Sequence, residues 1–221
     1  HTADVKIHTT LFSQEGYNEQ EARAICRALL TAIEHCHEQD VIHRDLKPSS
    51  MALSSDNATI KLSGFGLACS VADGPRSEQC GTPHYVAPEV LQGDSYGKPV
   101  DMWSMGVIMY TILSGSLPFK AMRQATLFRK IKEGSYNFRS NSWNNVSSTA
   151  KDMISKLLIV DSTQRLTARQ ALLHPWFEAA DRSLAGHDLR DNLEELQVFN
   201  AKRKMRAAIQ SVRPSGRTLP S

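Results

Sequence analysis

Apolar residues recur along this chain in more than one register. From Asn18 onward Ala22, Ile25, Leu29, Ile33 and Cys36 follow at steps of three and four, the spacing of one helical face. Asn18 with Glu21 three residues later is a capping-box signal, so the pattern predicts a core helix from Asn18 to about Glu38. Two short runs, Met51 to Leu53 and Thr59 to Leu62, flank the turn-rich Ser54-Ser55-Asp56-Asn57 and predict a hairpin. Val71 to Gln79 is polar and loop-like. Pro99 to Leu113 is apolar on most sides, the mark of a buried helix. Further helices are expected at Arg123 to Glu133, Ser147 to Ile159 and Thr167 to Leu173, the second capped by Ser147 or Ser148. Residues 1–16 show no clear period, and no repeat of solenoid length is visible. Near the other end Leu189, Leu193, Leu196 and Phe199 share one helical face. Met205, Ala208, Ile209 and Val212 fall roughly opposite, so one straight helix cannot dock both sets on a single surface.

Composition narrows this picture to one main domain. With 221 residues, 41% of them hydrophobic, the chain can bury one sizeable core. Its longest apolar run, Gly106 to Leu113, is too short to cross a bilayer, and no charged-then-apolar start suggests a signal peptide, so a cytoplasmic protein is expected. His1 stands where a Met would begin a natural chain, which predicts further sequence upstream. Cys26, Cys36, Cys69 and Cys80 lack C-x-x-C spacing, and reduced thiols are expected, not a disulfide framework or a zinc site. The neighbours His35, Cys36 and His37 point in different directions on a helix and make a poor metal cluster.

Charge separates the two ends. Residues 200–221 hold six Lys or Arg and no acid, which leaves the first 199 residues at −3 within a formal total of +3. A basic tail suits an acidic partner of the calmodulin kind, an anionic membrane surface, or simple solvation. It has no aromatic interleaving or recognition motif that would point to nucleic acid.

The candidate chemistry lies between Val41 and Glu89. Val41 to Ser50 reads V-I-H-R-D-L-K-P-S-S, a polar cluster interrupting apolar sequence. Gly64-Phe65-Gly66 follows; as a dinucleotide fingerprint it lacks its third glycine, since Cys69 stands there, and the sequence after it is not helical in pattern. Cys80 to Glu89 reads C-G-T-P-H-Y-V-A-P-E. Beyond it come D-x-W-S-x-G from Asp101, L-P-F from Leu117, D-S-T-Q-R-L-T from Asp161 and H-P-W-F from His174. In this order and spacing the motifs resemble those of the protein kinase family, with H-R-D, the place of D-F-G, and A-P-E in turn.

The resemblance covers residues 18–177 and implies a mainly α fold: the helical carboxy-terminal lobe of a protein kinase, with a small β-hairpin at the catalytic loop and the amino-terminal lobe absent. Residues 1–17 would be a remnant or linker, 18–178 the lobe, and 179–221 a basic autoregulatory tail. By resemblance Asp45 accepts the substrate hydroxyl proton, Lys47 steadies the phosphate, and Thr82 bridges them; the plainer alternative is that Asp45 satisfies backbone donors in a tight loop. Arg44 would meet a phosphorylated activation segment, near Glu78 with Ser77 as the neighbouring alternative. Glu89 and Arg165 match the family's buried ion pair, and Asp101 is a structural position of the same family. The nucleotide positions depart from the pattern: Ser50 replaces a metal-binding Asn, Gly64 replaces a metal-binding Asp, and Ala52 replaces a larger aliphatic residue under the adenine. ATP binding is then expected to be weak and magnesium binding doubtful, with no other metal site.

Gly-Phe-Gly in place of D-F-G looks like the kinase-like domain of membrane-associated guanylate kinase scaffolds. The sequence from Asn192 to Lys204 is similar to the autoregulatory segment of calcium/calmodulin-dependent Ser/Thr kinases. Phe199, Lys202, Arg203, Lys204, Met205, Arg206 and Ile209 are its calmodulin-binding candidates. The expected function is a pseudokinase or degraded kinase that binds protein partners. The alternative is an ATP-dependent Ser/Thr kinase completed by an amino-terminal lobe elsewhere.

Overall fold

The computed structural model describes residues 17–53, 60–179 and 184–192, apart from the side chains at 52, 53 and 60. The expectations for residues 1–16, for the turn at Ser54 to Asn57, for Thr59, for the side chain of Ala52 and for the whole tail beyond Asn192 lie outside the described residues. Within them the chain is mostly helical with few strands.

Helix α1, Glu19–Glu38, starts where the capping box predicts: the Asn18 side chain accepts from the Glu21 amide while the Glu21 carboxylate accepts from the Asn18 amide. Such a cap satisfies donors that the first turn would otherwise leave unpaired. Ala22, Ile25, Leu29 and Ile33 are buried, and Cys36 is half-buried. Strand β1, Val41–Ile42, follows. Strands β2, Met51–Leu53, and β3, Ile60–Leu62, pair antiparallel as the expected hairpin, Met51 opposite Leu62. Strand β4, Cys69–Ser70, returns to pair with β1, a contact the sequence does not announce because two-residue strands carry no period. Between β3 and β4, Phe65–Leu67 forms one 3₁₀ turn and strand β4 follows it, not the helix a dinucleotide site would open.

Two short helices went unpredicted, α2 at Pro88–Gln92 and α7 at Pro175–Glu178, each begun by a proline at its first position. The others appear close to their expected bounds: α3, Pro99–Ser114; α4, Gln124–Lys132; α5, Ser148–Leu157, capped by Ser147; and α6, Ala168–Leu172, capped by Thr167. Helix α3 is buried on every side and forms the centre of the core, with α1 and α5 packed against it. A Cβ on Gly106 would stand 2.8 Å from Leu158 Cδ2 and 2.9 Å from Leu157 Cβ, so the absent side chain lets α5 approach this closely.

A buried carboxylate ties the ends of this body together. Glu19, fully buried, accepts from Trp176 Nε1 at 2.7 Å, from the Ser147 amide at 2.8 Å, from His187 Nδ1 at 2.8 Å, and from the Ser147 hydroxyl. Leu184 and Leu189 are buried, and the Asn192 amide donates to the carbonyls of Leu113 and Ser142, so the packed body runs on to Asn192. No helix of the described residues is long and apolar enough to cross a membrane.

Candidate functional site

The loop after β1 is held from behind. Asp101, buried in the first turn of α3, accepts from the amides of His43 at 2.8 Å and Arg44 at 3.0 Å, and lies 3.0 Å from His37 Nε2. Arg44 has a left-handed φ of 65°, a conformation that costs a residue with a Cβ about 1–3 kcal/mol unless its surroundings enforce it. Asp101 supplies part of that enforcement. His43 supplies more: its Nδ1 accepts from the Asp45 amide and its Nε2 donates to the Ser63 carbonyl, which fixes the tautomer, while its ring leans on Phe65 at 4.9 Å.

The loop so fixed brings three of the sequence-nominated side chains together. Thr82 donates to Asp45 Oδ1 at 2.6 Å, Lys47 donates to Thr82 Oγ1 at 2.9 Å, and Lys47 also pairs with Asp45 Oδ2. The result is a closed ring of carboxylate, ammonium and hydroxyl, partly open to solvent. The carboxylate keeps lone pairs that a substrate hydroxyl could reach. The Asp45 carboxylate bonds the side chains of Lys47 and Thr82.

Ser50 and Gly64 also meet. The Ser50 hydroxyl is buried and donates to the Asp45 carbonyl at 2.8 Å, and a Cβ built on Gly64 would sit 3.7 Å from that hydroxyl oxygen. Gly64 has φ 83°, where glycine is at ease and an L side chain is strained. At the two positions where the resemblance places metal ligands there is thus one buried hydroxyl turned toward the loop and one missing side chain. A hard dication wants several charged or carbonyl oxygens, and this pair does not fit it. Among the described residues no group of three or more His, Cys, Asp or Glu could hold a metal ion. Ala52 pairs with Lys61 in the hairpin.

Arg44 reaches the segment around Glu78. Its Nη1 donates to Glu78 Oε2 at 3.1 Å and to the Tyr96 hydroxyl at 3.1 Å, and its Nε donates to the Leu67 carbonyl at 2.6 Å. Tyr96 in turn donates to the Glu78 carbonyl at 2.6 Å, and burial pushes its phenol up to about 12, so it stays a donor at every ordinary pH. A bond from its own backbone amide, and then the charges of Arg44 and Arg76, hold the Glu78 carboxyl below the usual glutamate range. Ser77 is exposed beside it. Sequence reasoning missed Tyr96 and Arg76, whose backbones pair as an isolated bridge; only the long-range fold brings Tyr96 to Arg44.

Glu89 and Arg165 form the expected buried pair. The guanidinium donates to both carboxylate oxygens at 2.8 and 3.0 Å and to the carbonyls of Pro99 and Ile159, and it stacks 5.2 Å from the Trp103 ring. Two cavities, of about 940 and 440 Å³, are lined by none of Asp45, Lys47, Ser50, Gly64 or Thr82. The first runs along α1 by Ala24, Ala28 and Phe177, the second between α1, α3 and α6. Neither adds a group to the Asp45 ring. The calmodulin candidates from Phe199 to Ile209 lie outside the described residues.

Comparison with known proteins agrees with these motifs. The family model described as the protein kinase domain matches residues 2–177. The phosphorylase b kinase gamma catalytic chain, liver/testis isoform, of Bos taurus is 44% identical over 214 residues, which covers 94% of this chain and 50% of that protein. The chain thus spans about half the length of the curated relative it matches.

Proposed function

The chain belongs to the protein kinase family, and from that premise we propose that it works as a kinase-like binding and regulatory module in which phosphoryl transfer is crippled. One observation carries the reading: Ser50 and Gly64 adjoin, and together they present no carboxylate or amide oxygen for magnesium. Phosphoryl transfer is mostly positioning and charge neutralisation, so a site that keeps its proton acceptor but loses its cations loses most of the stabilisation. Asp45, Lys47 and Thr82 would then persist as a rigid scaffold for partner binding. ATP binding is expected to be weak and insensitive to magnesium.

A second reading has its own support. The Asp45–Lys47–Thr82 ring is intact, and the similar bovine protein is by name a catalytic chain. On that reading the protein is a Ser/Thr kinase that transfers phosphate to protein hydroxyls when completed by further sequence. The two separate in one experiment on the full natural chain: titrate ATP with and without magnesium, then assay transfer before and after Gly64→Asp with Ser50→Asn. The module reading expects no magnesium-stimulated transfer until both substitutions are made. Magnesium-stimulated transfer by the unmodified chain would overturn it.

Two regulatory features belong to the same proposal. Glu78 acts as a permanent stand-in for an activation-segment phosphate, held by Arg44; if Glu78→Ala left both segment order and partner binding unchanged, this role would be wrong. The basic tail, with Phe199, Lys202, Arg203, Lys204, Met205, Arg206 and Ile209, binds calcium-loaded calmodulin. Calcium-dependent retention of the full chain on immobilised calmodulin, lost in Phe199→Ala with Ile209→Ala, is the expected outcome.

A further inference from the structure

The span from Ser116 to Val146 carries six cations, Lys120, Arg123, Arg129, Lys130, Lys132 and Arg139, against one acid, Glu133. The fold gathers several of them around α4. This helix turns Leu127 and Ile131 inward and packs on α2, so the 3.6-residue period leaves Ala125, Arg129 and Lys132 facing outward, all exposed. Lys120, Arg123 and Arg139 are exposed as well. The Lys130 ammonium donates to the Lys120 carbonyl at 2.9 Å, which sets it beside that residue without neutralising it. Arg129 pairs with Glu133 at 3.3 Å, but both side chains are largely in solvent, where such a pair is weak. Amid these cations stands Met122, fully exposed and the most exposed large apolar side chain among the described residues.

We propose that α4 and the turn before it dock an acidic protein segment that also brings an apolar side chain onto Met122. Uncompensated like charges set close together are relieved by a partner of opposite charge, which they also steer toward the surface. The unbranched thioether adapts its shape to whatever apolar group meets it. A helix of nine residues is about 13.5 Å long, so roughly four or five residues of extended chain span it. A protein partner fits better than a membrane, because a single exposed Met offers too little apolar area to enter a bilayer. It also fits better than a single-stranded nucleic acid. The nearby rings of Tyr136 and Phe138 pack on Tyr110, and Phe138 also on Trp143, so they are not free as stacking platforms. None of these residues belongs to the Asp45 loop, so the inference stands whichever reading of phosphoryl transfer is right.

The test is fluorescence anisotropy of a labelled Glu-rich peptide of about ten residues with two Leu, long enough to cover α4, added to the full chain at low salt. Reversing Lys120→Glu, Arg123→Glu and Lys132→Glu together should weaken binding by about tenfold or more and flatten its salt dependence. Met122→Ser should weaken it several-fold with the salt dependence kept. The milder set Lys120→Gln, Arg123→Gln and Lys132→Gln should fall between, and covers the case in which triple reversal fails to fold. Reversal in the tail, at Lys202, Arg203 and Lys204, should leave a clear α4-dependent component. The proposal is overturned if the α4 variants bind like the parent. It is equally overturned if tail reversal alone abolishes binding, or if Glu194→Lys with Glu195→Lys frees the surface and raises peptide affinity, since the chain's own tail would then be the occupant. Tighter α4-dependent capture of phosphatidylserine vesicles or single-stranded RNA than of the peptide would overturn it too.

Discussion

Two clusters of this protein differ in how completely their polar groups are partnered. In the first, Glu89 and Arg165 are buried and saturated: every guanidinium nitrogen donates, and both carboxylate oxygens accept. In the second, Ser50 and Gly64 adjoin beside Asp45, and the groups expected at a phosphoryl-transfer site are missing. The first cluster serves folding, because losing one partner would leave an unpaired buried charge. The second matters only to a protein that must hold a metal-bound nucleotide. On the proposed reading, keeping one and losing the other would separate the demands of folding from those of chemistry.

The sharpest way to break the comparison is to attack the saturated cluster. Arg165→Met leaves Glu89 buried without its partner and should cost about 3–5 kcal/mol in urea or thermal unfolding. That is a large part of the roughly 5–15 kcal/mol that a domain possesses. Adding Glu89→Leu should recover much of the loss, because no unpaired charge then remains. A double variant no better than Arg165→Met would mean that the pair acts through shape and not through charge.

Next in size is the support behind the Asp45 loop. Asp101→Ala strips the acceptor from the amides of His43 and Arg44 and from His37, and should cost about 3 kcal/mol. Because Arg44 is held at positive φ by those same bonds, its contact with Glu78 should loosen in parallel, visible as faster hydrogen exchange around residues 76–82.

Gly64 sharpens the contrast from the other side. A Cβ there has room, its nearest neighbour being 3.7 Å away, so Gly64→Ala meets only the backbone penalty of φ 83°. The expected cost is about 1 kcal/mol. The same penalty attends Gly64→Asp, so activity recovered by Gly64→Asp together with Ser50→Asn should come with a slightly lower melting temperature. A loss as large as that of Arg165→Met would show that the Gly64 position is structural after all.

How much of this was legible beforehand follows the range of the interactions. The start of α1 could be read to the residue, because Asn18 and Glu21 are three apart and the cap is local. The Asp45–Lys47–Thr82 ring was legible only through motif resemblance, since its members are up to 37 residues apart. The β1–β4 pair, the Tyr96 bridge and the Glu19 hub were invisible: their partners lie far off in sequence and their segments are too short to show a period. Helices α2 and α7 hold five and four residues, less than the window from which a helical face can be recognised. By resemblance Ser50 and Gly64 already belonged to one metal site in the sequence. The fold adds the distance, a Cβ on Gly64 standing 3.7 Å from the Ser50 hydroxyl oxygen.

The smallest effect tests the exposed end of the comparison. The Glu78 carboxylate is in solvent, so Glu78→Gln should leave the melting temperature unchanged, in contrast to either change in the buried pair. What should change is local order: the segment from Arg76 to Thr82 should exchange its amides several-fold faster once Arg44 loses its anion. The pH dependence has a definite sign. Because the folded protein holds the Glu78 carboxyl below its ordinary value, its contribution is complete at neutral pH and begins to fade only as pH falls into the usual glutamate range. It is lost once pH passes below the lowered folded value. Hydrogen exchange of this segment, corrected for intrinsic rates, should therefore converge between parent and Glu78→Gln at the acid end and diverge above it. A difference that persisted unchanged into acid would assign the ordering to the Tyr96 hydroxyl, which donates to the Glu78 carbonyl at 2.6 Å and does not titrate there.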